Sequence, residues 1–294
     1  MRIEKQLHSP QASSQPTQVI YFPFNPPPPL QQFVETIFFL SGYGPEHAIE
    51  RIVPDTSASL VIELDDQERW IVDNDTCETL QSCKGSWISG PHRKYFSIRT
   101  APDTELLAVR FRLGGLFPLL REPVETVTDR VVDGQEILGG ILQDLRSEIL
   151  KQESPEQKVQ TAYHWLEQHM DVSLTPQPAI LDAIEAIAEN PSQSTLAECV
   201  QRSGFSQKHL IQLFKKHTGL RPRDLQRILR FSQALTSIQE GHPVSWTTLS
   251  LDCGYTDQSH LIRDFKNFSG FTPEGFRAAD SDRENFFPVD EPER

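Results

Sequence analysis

Cysteine is scarce in this chain: four among 294 residues, Cys77, Cys83, Cys199 and Cys253. Their spacing matches neither a zinc site nor a disulfide framework, which leaves reduced thiols as the expectation. Long apolar runs are missing too. No stretch reaches the roughly 18 apolar residues a membrane-spanning helix requires. The first twenty residues are polar and rich in Ser and Gln, without the apolar centre of a secretory signal. Together these absences predict a cytoplasmic protein. Catalytic signatures are also lacking. No Ser-His-Asp frame stands out, and His47, His92, Glu63 and Asp55 have no metal-ligand spacing. Neither a cofactor nor a metal is expected.

Positive charge is in deficit overall, with a net charge of −13. Residues 174–294 carry 13 Lys+Arg against 16 Asp+Glu, so the first 173 carry 28 − 13 = 15 against 41 − 16 = 25. The N-terminal part is therefore −10 and the C-terminal part −3. Within the latter, residues 202–230 hold eight cations, Arg202, Lys208, Lys215, Lys216, Arg221, Arg223, Arg227 and Arg230, and one anion, Asp224, giving +7. A basic patch of that density inside an acidic protein suits a polyanionic partner.

At about 150 residues per domain, the length predicts two domains. Residues 1–18 read as a disordered tail, rich in Ser, Gln and Pro. Residues 19–172 read as a β-rich domain with helices at its end. "LLAVRFRL" (106–113) alternates, so Leu107, Val109, Phe111 and Leu113 should face inward and Arg110 and Arg112 outward. Two apolar stripes follow at helical spacing. One is Leu138, Ile141, Leu142, Leu145 and Ile149; the other is Val159, Ala162, Trp165, Leu166 and Met170. Each reads as core, with a dimer seam as the second reading. Two prolines mark a linker at 173–178. Residues 179–279 are helical in pattern, and 280–294 read as an acidic, frayed tail. The fold class is α+β: a small β-barrel-like, cupin-like domain with flanking helices, then an all-α domain.

The helical part writes one frame twice. "KHLIQLFKKHTGLRP" begins at Lys208 and "SHLIRDFKNFSGFTP" at Ser259, an offset of 259 − 208 = 51. In each copy a helix stops at glycine, a short turn follows, and a second helix starts and ends at another glycine. "TLAE" (195–198) is a capping box, Ser206 and Asp257 should cap the second helices, and Gly219 and Gly270 should end them. This pattern is a helix-turn-helix, twice over. Leu210 with Phe214, and Leu261 with Phe265, pack the second helices from behind. Lys208 and Gln212, and Ser259 and Arg263, point away, on a polar front that fits a major groove about 12 Å wide. The connector, Pro222 to about Glu240, carries Ile228, Leu229, Phe231, Leu235 and Ile238 as its buried side.

Residues 178–277 resemble the DNA-binding domain of the AraC/XylS family of bacterial transcription regulators. The resemblance rests on "GFSQKHLIQLFKKHTGLRP", "LRFSQAL" and "CGYTDQSHLIRDFKNFSGFTPEGFR". It implies two helix-turn-helix units that enter adjacent major grooves of double-stranded DNA. By position it puts Lys208, Ile211, Gln212, Ser259, His260, Ile262 and Arg263 on the base side. Arg221, Arg223, Arg227, Lys215 and Lys266 are expected at phosphates. His209 and His260 share the frame, with His209 the better candidate for a structural role. The chain departs from the family where Val200 and Ser250 replace a small alanine and Leu225 replaces an aromatic.

The N-terminal part, through "VPDTSASLVIEL" and "GSWISGPHRKYFSIR", resembles the β-barrel sensor domains that precede this module. It implies a small-molecule effector or a homodimer, and RNA polymerase as a partner if the protein activates. Trp70, Trp87, Tyr95 and Phe96 are candidate effector-pocket walls. The same module also occurs fused to cysteine-based alkylation-repair domains, the alternative of another class. Such a domain needs an activated thiolate, and this half offers only Cys77 and Cys83. A DNA binder without any ligand is the third reading.

Overall fold

The computed structural model describes residues 19–240, 245–278 and 285–289. The expected disorder of 1–18 lies outside these residues. Among the described residues the N-terminal half holds ten strands: β1 (Ile20–Phe24), β2 (Val34–Tyr43), β3 (Ile49–Ile52), β4 (Ala58–Glu63), β5 (Arg69–Val72), β6 (Thr79–Cys83), β7 (Ser86–Ser89), β8 (Phe96–Arg99), β9 (Thr104–Phe111) and β10 (Val131–Asp133). Helices α1 (Phe117–Leu120), α2 (Gly134–Leu138), α3 (Ile141–Leu150) and α4 (Pro155–His169) accompany them. Two antiparallel sheets form, in the orders β1-β2-β9-β4-β7-β10 and β11-β3-β8-β5-β6. The strand β11 (Phe286–Val289) comes from the C-terminus.

Alternation along β9 decides which side of the first sheet is covered. Leu107, Val109 and Phe111 are fully buried and line up with Ile37 and Phe39 of β2 and Leu60 and Ile62 of β4. Leu142, Leu145 and Ile149 of α3 and Val159, Ala162 and Leu166 of α4 pack in the same core. Both helical stripes thus pack into the core of their own domain, apart from the exposed Ile141 of the first. Burial of each of these core Leu, Ile and Val side chains contributes about 1.5–3 kcal/mol. The stretch 135–150 is also two helices, because Gly139 takes φ 64° between α2 and α3.

Arg110 faces the opposite side, as alternation requires, and is only about one third exposed because it binds Glu35 through Nε at 2.7 Å and Asp55 through Nη2 at 2.6 Å. Its side of the sheet turns toward the second sheet, where Arg69 of β5 binds Glu63 of β4 at 2.7 Å.

Helices α5 (Pro178–Glu189), α6 (Leu196–Ser203), α7 (Gln207–Thr218), α8 (Pro222–Gln239), α9 (Trp246–Asp252), α10 (Gln258–Ser269) and α11 (Pro273–Ala278) make the second domain. It has two cores. One joins Ile180, Ile187, Leu210, Phe214 and Leu225; the other joins Phe231, Leu261, Phe265, Phe268 and Phe276. The second core also takes in Val53 of the N-terminal half and Phe287 of β11. The frayed-tail reading of 280–294 is therefore corrected at 286–289, which pairs with β3 as an edge strand.

The halves meet at the ends of α7 and α10. Thr128 donates from Oγ1 to the Gly219 carbonyl at 2.9 Å, and Lys215 pairs with Glu125. Arg51 reaches the Ser269 carbonyl at 3.3 Å and lies over the rings of Tyr95 and Phe271. A Cβ on Gly219 would come within 2.5 Å of Thr128 Oγ1, and one on Gly270 within 2.3 Å of Arg51 Nη1. Both glycines also need φ near 75°, at 76° and 75°. They end their helices and admit the other domain in the same place.

Candidate nucleic-acid interface

Each unit is set by its caps. In the first, Thr195 and Glu198 form the capping box of α6, and Gly204 ends it at φ 69°. Ser206 then accepts from the His209 N–H at 3.3 Å and starts α7. In the second, Ser245 caps α9 and Asp257 accepts from the His260 N–H at 2.8 Å to start α10. The caps of the second helices differ by 257 − 206 = 51, but those of the first helices by 245 − 195 = 50. One extra residue therefore sits in the second turn.

A matched hydroxyl closes each second helix, which sequence reasoning missed. Thr218 Oγ1 donates to the Phe214 carbonyl at 2.7 Å and accepts from the Leu220 N–H at 3.1 Å. Ser269 Oγ does the same with Phe265 at 2.8 Å and Phe271 at 3.2 Å. The signal was available, since Thr218 and Ser269 are 51 apart.

The backs and fronts fall as the frame requires. Leu210, Phe214, Leu261 and Phe265 are fully buried. Lys208, Gln212, Ser259 and Arg263 are exposed, while Ile211, His260 and Ile262 are half-buried on the same faces. His209 packs edge-on against Phe205 at 4.9 Å, and His260 against Tyr255 at 5.2 Å. The two histidines thus share a packing contact with the aromatic of the turn, where the sequence favoured His209 alone.

The cations divide into two sets. Arg221, Arg223 and Lys266 are exposed. Lys215 is paired with Glu125, and Arg227 binds the buried Asp264 at 2.7 Å. The hydrogen bond to Asp264 raises the Arg227 pKa above its ordinary value. Arg227 also lies over the Phe268 ring, so it ties the connector α8 to α10 rather than standing free for a phosphate. Arg230, one turn on, donates to the Gly254 carbonyl at 3.0 Å and covers Tyr255, fixing the second turn.

A cleft of about 1010 Å³ opens between the domains, lined by His92, Tyr95 and Phe96 on one side and Asp224, Arg227 and Asn267 on the other. Trp70 and Trp87, the other expected pocket walls, are not among its lining residues. Burial holds His92 neutral, with its pKa lowered to about 4. Among the described residues no cluster of three His, Cys, Asp or Glu is arranged for a metal ion. No helix among them is long and apolar enough to cross a membrane.

Two capped helices with buried backs and polar fronts, held on one connector, define a helix-turn-helix DNA-binding protein. Residues 182–279 match a helix-turn-helix domain family, and residues 23–133 match a domain family of unknown function, DUF6597. Over 110 residues the chain is 31% identical to the multiple antibiotic resistance protein MarA of Escherichia coli K12, covering 37% of this chain and 84% of that protein. MarA of Salmonella typhimurium is 32% identical over 100 residues, covering 34% and 76%. A ToxT structure from Vibrio cholerae aligns with a TM-score of 0.45 at 11% identity, covering 82% of this chain and 98% of that one. The chain belongs to the AraC/XylS family of transcription regulators.

Proposed function

We propose that this regulator recognises a bipartite DNA site, with α7 and α10 entering successive major grooves. The observation that carries this reading is the matched pair of exposed fronts, Lys208 and Gln212 on one helix and Ser259 and Arg263 on the other. The 18-residue connector α8 separates them. At 1.5 Å per residue it spans about 27 Å, comparable with the roughly 34 Å repeat of grooves on one DNA face. In this reading Arg263 pairs with guanine O6 and N7, and Gln212 with adenine. Ile211 and Ile262 offer apolar contact to thymine methyls. His260 stands at the edge of the same face. Arg221, Arg223 and Lys266 contact phosphates and set register, and Lys215 joins them once Glu125 releases it.

The N-terminal half acts as the sensor, and the interdomain cleft is where a small effector would reach both domains at once. Thiol chemistry is not supported at two of the four cysteines. Cys83 and Cys253 are buried, and burial pushes both thiols up to about 11, away from thiolate. The protein works in the cytoplasm, where DNA and reduced thiols coexist.

Selection of bound sites from random duplex DNA with the purified chain tests the proposal. Two short conserved blocks about one helical turn apart are expected. Enrichment of a single block, or of none, contradicts it.

A further inference from the structure

The C-terminal strand does more than finish the chain. The Val53 N–H donates to the Asn285 carbonyl at 3.1 Å, and from there the register runs Ile52 to Phe286, Arg51 to Phe287, Glu50 to Pro288 and Ile49 to Val289. Hydrogen-bonded and non-hydrogen-bonded pairs alternate in such a ladder. Pro288 therefore falls at a pair whose N–H positions point away from β3, so its missing donor removes no ladder bond. Asn285 adds a side-chain bond to Asp55 at 2.8 Å. Phe287 is 1% exposed, and its ring meets Phe276 of the second unit at 4.5 Å. One short strand is thus hydrogen-bonded to the sensor sheet while its side chain fills the core of the second helix-turn-helix.

In this arrangement the acidic sensor half is held against both units. Glu125 occupies Lys215, and Arg51 occupies the end of α10. We infer that β11 is an intramolecular clasp that holds the second unit against the sensor in a form of lowered DNA affinity, and that its release frees the unit to take up DNA. This inference rests on the DNA-binding reading above. Any ligand or partner that loosens the β3 edge raises occupancy of the operator, and any that tightens it does the reverse.

Ile52 and Phe286 face each other at a pair with no mutual ladder bonds, where the Cα separation of about 4.5 Å suits a disulfide. The full chain carrying Ile52→Cys and Phe286→Cys is compared oxidised and reduced, with wild type under both conditions as control. Affinity is read by fluorescence anisotropy on a random-sequence duplex. Oxidation should lower the affinity of the double variant by about fivefold, because the binding-competent fraction shrinks. A second chain ending at Glu284 should bind more tightly than wild type, with faster amide exchange at 49–53. Failure of the disulfide to form overturns the paired register and the clasp with it. A disulfide that forms without lowering affinity makes β11 a structural strand only and overturns the inhibitory role. If wild type itself binds no duplex, the DNA-binding reading falls first, which is a distinct result.

Discussion

The two helix-turn-helix units share a frame but are held differently. The first docks on the N-terminal half through partly exposed polar contacts, the Lys215–Glu125 pair and the Thr128–Gly219 hydrogen bond, and through the buried His217 packed on Phe117 at 4.4 Å. The second docks through shared core, with Val53 and Phe287 among its own phenylalanines. They differ inside as well. Asp264 is buried at the position matching Leu213 in the first unit, since 264 − 51 = 213. A buried carboxylate needs a partner, and Arg227 supplies it. Repeating the second helix therefore did not repeat its support: one unit is held by polar contacts and one buried aromatic pair, the other by a shared phenylalanine core and an ion pair whose carboxylate is buried.

That contrast can be broken at its strongest point first. Asp264→Ala leaves Arg227 without its anion beside Phe268. Urea denaturation should show a loss of about 3 kcal/mol, the bottom of the range for breaking a buried pair, because Arg227 is partly exposed. Leu213→Ala should cost less, since Leu213 is only partly buried; equal losses would erase the distinction. Arg263→Ala should weaken binding to the selected site by about 1–3 kcal/mol and leave random DNA nearly unaffected. Uniform weakening on all sequences would move Arg263 to the phosphate set. Arg221→Ala should weaken every sequence alike and reduce the slope of log K against log salt by about 1. An unchanged slope would take Arg221 out of contact with the backbone.

The smallest effect concerns pH. Burial lowers the pKa of His217, and Lys216 adds to it. The folded chain therefore keeps this ring neutral while the unfolded chain protonates near pH 6.5. Stability from this group is complete above that value and declines as pH falls below it. His217→Phe should flatten the fall in unfolding midpoint between pH 7 and pH 5. His92, held to about 4, contributes with the same sign to both proteins and cancels in the comparison. Parallel pH curves would remove His217 from the account.

Local chemistry was the legible part. Thr195, Glu198, Ser206 and Asp257 act on backbone groups three residues away, so their spacing alone places α6, α7 and α10. The apolar backs followed from helical period for the same reason. What stayed hidden depends on distant partners. Phe286–Val289 is four residues with a proline in an acidic context, and only β3, more than 230 residues earlier, makes it a strand. Arg227 looked like one more cation of the basic patch because Asp264, 37 positions on, gives no local sign of burial. The pairing of Arg110 with Glu35 and Asp55 stayed hidden because alternation says which residues share a side, not what lies opposite them.

The core that crosses the domain boundary has a practical consequence. The helix-turn-helix match covers 182–279 and so omits both Val53 and Phe287. A fragment cut at those limits carries its basic surface intact but uncovers Phe276 where Phe287 packs against it. Such a piece should be less soluble and more prone to self-association than the whole chain, so the border drawn by homology is not the border at which the molecule can be divided.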